Sequence, residues 1–348
     1  MYNSRFLAPA PPKDAATPAT PTKPAKPDRW TLLDVLRWTT TRFQERGLAS
    51  PRLDAEVLLA ECLHLSRVQL YVEFERPLAA EELATIREAV RRRQNGECVA
   101  YIVGHKEFFG LEFAVDNRVL VPRPDTETLV DEALARVREM ALPEGAERPA
   151  RIADIGTGSG AVIVTLGKQM PTAICTAVDV SPDALAVAAG NATRHGVTVD
   201  WRLGDLVEPL RGDAPFDLIV ANLPYIPTRE IAGLAPEVRS EPMLALDGGA
   251  DGLDLVRRLI DASRSLLLPG GCIALEIGAG QSQATADLCA AAGFTDVRRR
   301  RDLGTIERVV SAQWTGTSRS DPHSPHAPHL PDSSKSPDAP DATSGGID

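Results

Sequence analysis

Arg151-Ile-Ala-Asp154-Ile155-Gly156-Thr157-Gly158-Ser159-Gly160-Ala161 is the stretch on which the fold turns. A short apolar run, Ile152–Ile155, reads as a strand; glycines follow at every second position, and a helical pattern then runs through Lys168. Glycines between a strand and a helix let the backbone turn sharply and approach a ligand without a Cβ in the way. The segment from Gly156 to Ala161 also fits a loose GxGxxA dinucleotide pattern, and a tight turn with no ligand is a further reading.

The same alternation continues downstream. Ile174–Val180 reads as the next strand, with Ser181-Pro182 capping a helix that ends near His195-Gly196. Strands at Val197–Leu203 and Phe216–Ala221 follow, then a helix from Leu253 to Leu268 and a strand at Cys272–Ile277. A helix at Ser282–Ala292 and strands at Phe294–Arg301 and Ile306–Ala312 complete the set. This pattern predicts an α/β fold: a Rossmann-like, mainly parallel sheet with helices on both faces. Ligands in such sheets bind at the carboxyl ends of strands, near the switch in strand order.

Upstream the period changes. From Trp30 to about Gly96 the pattern is helical, with Leu32, Leu33, Val35, Leu36, Trp38 and Phe43 on a first helix closed by Gly47. Ser50-Pro51 reads as an N-cap and first helical residue, and Leu53, Val57, Leu58, Leu59, Cys62 and Leu65 form the apolar stripe that follows. A third helix, Ala79 to Arg93, ends in Arg91-Arg92-Arg93, expected as a solvated, dipole-compensating end. Contact with an acidic or ribosomal partner is the alternative reading of that triplet. Val99–Val103, Glu107–Val115 and Arg118–Val121 read as strands of a β-hairpin stopped by Pro122-Arg123-Pro124. Asp125 or Thr126 is expected to cap a helix through Met140. The expected organisation is an N-terminal extension at 1–28, a helical substrate-recognition domain at 29–97, a β-hairpin linker at 98–124, the α/β domain at 125–314 and a tail at 315–348.

Composition supports this division. Of 28 prolines in 348 residues, 7 fall in 1–28 and 6 in 315–348, so the excess is terminal. Both ends are too poor in apolar residues to offset a chain entropy of roughly 1–2 kcal/mol per residue, and are expected to be disordered. His323, His326 and His329 in the tail are expected to be incidental rather than metal ligands, and no metal site is expected elsewhere. The five cysteines (Cys62, Cys98, Cys175, Cys272 and Cys289) form no CxxC pair and are expected as reduced, mostly buried thiols of a cytoplasmic protein. No signal peptide or apolar run of membrane-spanning length is read. The net charge is −10, and without the tails (+2 and −3) it stays at −9, which argues against nucleic acid as the main partner.

The chemistry sits at strand ends. Asp179 lies 23 residues after Gly156, where a carboxylate can accept both hydroxyls of a ribose. Gly204-Asp205-Leu206 is placed to frame an adenine, although Asp205 could instead cap a turn. These residues indicate a nucleoside without choosing between NAD and S-adenosylmethionine. Asn222-Leu223-Pro224-Tyr225 chooses. Its Asn222 side-chain oxygen and a main-chain carbonyl, that of Leu223, can accept the two protons of a planar NH2 group while the Tyr225 ring packs on it. That fixes the nitrogen in line with a sulfonium methyl, and positioning then carries the displacement. Hydride transfer has no use for this tetrapeptide; the bland alternative is an Asn that satisfies a loop.

The chain resembles the bacterial peptide chain release factor glutamine methyltransferases, the HemK proteins, from about Leu32 to Val310. The resemblance is carried by Ser50-Pro-Arg-Leu-Asp54-Ala-Glu56, Tyr101-Ile-Val-Gly104, Val119-Leu-Val-Pro122-Arg-Pro-Asp-Thr-Glu127 and the segment Asp154–Gly160. It continues through Asp179, Asn222–Ile226, Glu241-Pro242, Leu246–Asp254, Pro269-Gly-Gly271 and Leu275-Glu-Ile-Gly278. It implies a class I methyltransferase sheet that methylates the side-chain amide (N5) of the glutamine in the Gly-Gly-Gln loop of class-1 release factors. It further implies S-adenosylmethionine held by Asp154, Gly156, Thr157, Gly158, Ser159, Gly160, Asp179, Asp205, Leu206 and Asn222. Asn222, Leu223, Pro224 and Tyr225 would hold the glutamine, and the helical domain would help grip the release factor. Two positions depart from the family pattern: Leu223 stands where a proline is common, and Leu206 where an aromatic is. The competing readings are a ribosomal-protein glutamine methyltransferase, an amino-group methyltransferase for nucleic acid, and a binding module without catalysis.

Overall fold

The computed structural model describes residues 29–140 and 148–316. The expectations for the two ends, including the tail histidines, lie outside the described residues. The chain separates into two compact units between Val103 and Gly104.

The first unit is helical: α1 (Leu32–Glu45), α2 (Pro51–Leu63), α3 (Arg67–Val72), α4 (Ala80–Gln94) and α5 (Val99–Val103). Leu32, Leu36, Phe43, Leu58, Leu59, Ile86 and Val90 share one core. Trp38 and Leu53, expected on the buried stripes, are instead about half exposed. Val99–Val103, expected as a strand, is helical, because its apolar run lays Tyr101 inside and packs Val99 and Ile102 on the helical core. The end of α4 is also corrected: Arg93 is buried rather than solvated, and its Nε donates to Asp54 Oδ2 at 2.8 Å. Glu56, two residues after Asp54 on α2, accepts from Arg52 at 3.0 Å and Arg67 at 2.7 Å, and from Tyr71. Burial pushes the Glu56 carboxyl up, but the bonds from Tyr71, Arg67 and Arg52 outweigh it and hold it below its ordinary value. The Ser50–Leu59 segment is therefore built around two acids that hold α2 to α3 and α4.

The second unit opens with a hairpin, β1 (His105–Phe108) and β2 (Leu111–Ala114); Arg118–Val121, expected as a third strand, is not one. Then come α6 (Glu127–Glu139), β3 (Arg151–Ile155), α7 (Ala161–Gln169), β4 (Ile174–Asp179), α8 (Pro182–His195), β5 (Val199–Leu203) and β6 (Phe216–Ala221). Two one-turn helices, α9 (Thr228–Ile231) and α10 (Pro236–Arg239), precede α11 (Asp254–Ser263), β7 (Leu267–Glu276), α12 (Ser282–Ala291), β8 (Phe294–Arg301) and β9 (Glu307–Trp314). The expected helix to Leu268 stops at Ser263, because Leu267 already pairs with Phe216 as the start of β7.

Seven strands form one sheet in the order β5-β4-β3-β6-β7-β9-β8. The five from β5 to β7 are parallel, and β9 runs antiparallel to both of its neighbours. Alternate residues supply the two faces. Ala153, Ile155, Ile219 and Ala221 pack with Val256, Leu259 and Ile260 of α11, while Ile152, Leu218 and Val220 pack with α6 and α7. Each fully buried Leu, Ile or Phe contributes about 1.5–3 kcal/mol relative to exposure, so both faces must be covered. Arg298–Arg301 lies on the edge strand β8, and Arg300 reaches the buried Glu132 at 2.6 Å.

Candidate active site

Strand order reverses at β3, which pairs with β4 on one side and β6 on the other. A cavity of about 360 Å³ lies over the carboxyl ends of these strands, where a doubly wound sheet leaves a crevice between diverging connections.

One wall is the glycine loop. Asp154, Gly156, Thr157, Gly158 and Ser159 line the cavity. Gly156 has φ +74°, and a Cβ there would come within 2.9 Å of Leu223 Cδ2, so the position admits only glycine without a shift. Gly160 is not on the cavity wall; it starts α7 at φ +79°, and its missing Cβ lets α7 approach Ala188 of α8. Burial pushes the Asp154 carboxyl up to about 7, and the charge of Asp179 adds to that. A 2.7 Å bond from the Thr157 hydroxyl works the other way.

Asp179, at the end of β4, accepts from Gly158 N at 2.9 Å through Oδ2 and from Ser181 N at 2.9 Å through Oδ1. Each oxygen keeps a lone pair for a further donor. Ser181 also caps α8, accepting from Ala184 N at 3.2 Å, so one turn sets both the carboxylate and the helix. After β5, Asp205 and Leu206 reach the wall. Asp205 is held by Arg258 of α11 at 2.5 Å, and Leu206 adopts φ +48° with its side chain against the core.

The opposite wall is the loop leaving β6. Asn222, Leu223 and Pro224 line the cavity, whereas Tyr225 does not. Asn222 Nδ2 donates to Thr126 Oγ1 at 3.2 Å, and no protein donor bonds its Oδ1 among the described residues. Leu223 is buried in the core, and its side chain abuts Gly156, so the two loops touch directly. The Tyr225 carbonyl accepts from Gln281 at 2.9 Å; burial pushes its hydroxyl up to about 12, with Glu276 adding.

Several further residues carry this wall, each from a segment that bears the family resemblance but with no role at the site read for it. Arg123 reaches the cavity and pairs with the buried Glu241 at 2.6 Å. Thr126 and Glu276 stand behind Asn222, both almost fully buried. A signal in the pattern itself is Glu276, a lone acid in the otherwise apolar run Cys272–Ile277.

The glycine loop, Asp179 and the Asn222–Pro224 segment come together at the reversal of a doubly wound sheet, the architecture of a class I methyltransferase domain. The family model for a methyltransferase domain matches residues 152–240, and that for the PrmC N-terminal domain matches residues 34–104. A release factor glutamine methyltransferase of Geobacter sulfurreducens is 46% identical over 288 residues, covering 82% of this chain and 98% of the relative. Relatives of the same description from Moorella thermoacetica and Chlorobaculum tepidum are 44% and 41% identical, over 76% and 81% of this chain and 91% and 97% of their own lengths. The chain belongs to the release factor glutamine methyltransferase family.

Proposed function

We propose that this chain transfers the methyl group of S-adenosylmethionine to the side-chain amide nitrogen of the glutamine in the Gly-Gly-Gln loop of class-1 peptide chain release factors. The observation that carries this reading is the state of Asn222: its NH2 is engaged by Thr126, and its Oδ1 remains available beside the cavity. An amide NH2 is recognised by acceptors, and the Leu223 carbonyl supplies a second one on the same loop.

The residues present fit the cofactor. Gly158 has open space where a Cβ would lie, and Asp179 retains acceptor capacity for ribose hydroxyls. Asp205 and Leu206 would flank the adenine, and the acids Asp154 and Asp179 favour a cationic ligand end. When bound, S-adenosylmethionine supplies an electrophilic sulfonium methyl. The chain's own residues then do the rest: Asn222 and Leu223 orient the amide nitrogen, and Pro224 shapes the loop beside the cavity. A carboxamide nitrogen is weakly nucleophilic, so alignment is the main contribution available to the protein. The N-terminal helical unit would supply part of the grip on the release factor. The cytoplasm is the setting that such a substrate requires.

Incubation with methyl-labelled cofactor and purified release factor, ribosomal protein and nucleic acid in parallel tests the assignment. Label is expected on the release factor, at glutamine. Label on ribosomal protein or nucleic acid with none on release factor would overturn it.

A further inference from the structure

Thr126 occupies the N-cap position of α6, yet its hydroxyl makes no capping bond. It accepts instead from Asn222 Nδ2 at 3.2 Å, across 96 residues of sequence. A hydroxyl that accepts in this way still has one proton to place, and Thr126 is only 4% exposed. Several groups face this spot. Asp125 and Thr126 come from the turn before α6, Asn222 and Tyr225 from the loop after β6, Glu276 from the end of β7 and Arg308 from β9. Arg308 is committed to Asp302 at 3.0 Å and Asp125 at 3.2 Å. Glu276, 1% exposed, has an oxygen, Oε2, with no hydrogen-bond partner. An acceptor left bare at such depth is costly, which asks for a use.

We propose that Glu276 and Thr126 are positioning residues that set the polarity of the Asn222 amide: Glu276 takes the Thr126 proton, Thr126 takes the Asn222 NH2, and Oδ1 is thereby turned to the substrate. This rests on the reading of Asn222 as the clamp on the substrate amide. The logic is one of donors and acceptors. An ionised carboxylate only accepts, so the hydroxyl must donate to it, and the hydroxyl oxygen is left to accept from Asn222. A protonated Glu276 is itself a donor. It can donate to the Thr126 oxygen, which frees the hydroxyl proton to turn toward Asn222. The flipped amide, Nδ2 outward, is then satisfied as well as the unflipped one. A flipped Asn222 meets the substrate NH2 donor to donor and cannot hold it. Burial pushes the Glu276 carboxyl up to about 7, with Asp125 adding and Thr126, Arg308 and Asn222 opposing, so the switch falls within the range of an ordinary assay.

The test is the pH profile of kcat with release factor as substrate, for the wild type, Glu276→Gln, Thr126→Val and Thr126→Ser, alongside cofactor Kd and thermal melting of each. The wild type should lose kcat as pH falls through about 7. Glu276→Gln and Thr126→Val should each lower kcat at pH 8 on the order of 10- to 100-fold and flatten that acidic limb. Thr126→Ser, which keeps the hydroxyl, should recover both rate and limb, and cofactor Kd should stay within about threefold throughout. A Glu276→Gln enzyme with wild-type kcat and an unchanged acidic limb would overturn the proposal. So would a fully active Thr126→Val enzyme; if that variant does not fold, the Glu276→Gln profile decides alone. Asn222→Ala separates the two layers. If it still methylates, the clamp reading is wrong; if it is inactive while Glu276→Gln and Thr126→Val behave as wild type, only the polarity relay is.

Discussion

At the β3–β4 end of the cavity the wall is mostly backbone: a loop of glycines, amides that donate to Asp179, and a helix cap on Ser181, all within residues 154–181. At the β6–β7 end the wall is made of side chains from distant segments: Thr126 before α6, Asn222 after β6, Glu241 pairing with Arg123, and Glu276 closing β7. The first end presents a surface that any member of a broad nucleoside-binding class could share. The second presents side chains with defined donor and acceptor faces, which is what the proposed hold on an amide NH2 requires. On the proposed reading cofactor and substrate recognition are separated, and the two loops touch where Leu223 abuts Gly156.

If that separation holds, the largest effect belongs to Asn222→Ala. Loss of an oriented acceptor should lower kcat by about 10²–10³, with cofactor Kd from calorimetry changed by less than about threefold. A parallel loss of cofactor binding would show that the two ends are one site, with Asn222 as part of its frame.

Next comes the contact between the ends. Gly156→Ala should raise cofactor Kd by about tenfold, since the left-handed backbone costs an L-residue roughly 1–2 kcal/mol and the new Cβ meets Leu223 at 2.9 Å. Adding Leu223→Ala removes the collision but leaves the backbone cost, so the double variant should recover part of the affinity. No recovery would mean that the loops do not press on each other.

The same contrast explains what could be read from the sequence. The glycine loop, Asp179 and the Asn222 loop are legible as candidates because each is local, with strand, turn and candidate residue adjacent in the chain. The sheet was visible for the same reason, through alternate residues facing α11 on one side and α6 and α7 on the other. Arg93 was misread because a basic helix end looks solvated until its partner, Asp54 at a distance of 39 residues, is known. Val99–Val103 was misread because five apolar residues fit a strand or a buried helical turn equally well. The roles proposed for Thr126 and Glu276 were not legible, because spacing does not encode a shared hydrogen-bond polarity.

A smaller effect concerns the frame of the cofactor end. The Asp154 carboxyl has an ordinary value of 3.8 and is pushed up to about 7 in the folded protein. The folded state therefore holds a proton that the unfolded state has released between those values, and stability falls as pH rises through that window. Asp154→Asn removes the liability, so its melting temperature should exceed that of the wild type by roughly 2–6 °C at pH 8, with the gap closing toward pH 4. Cofactor affinity should fall in the same variant. A gap that does not depend on pH would show that Asp154 is charged at no cost.

The smallest effect should be at Asp205, where the cofactor wall opens to solvent. Its carboxylate is 49% exposed and is held by an equally exposed Arg258, and such pairs are worth about 0–1 kcal/mol. Asp205→Ala should therefore weaken cofactor binding by only about two- to fivefold, leave kcat at saturating cofactor unaffected, and lose most of its effect at high salt. The prediction is informative because it is small. If Asp205→Ala costs as much as Gly156→Ala, a side chain matters as much as the backbone at the cofactor end, and the contrast between the two ends fails. If it costs little, adenine is framed by shape and by the Leu206 contact, and the affinity resides in the loop between β3 and α7.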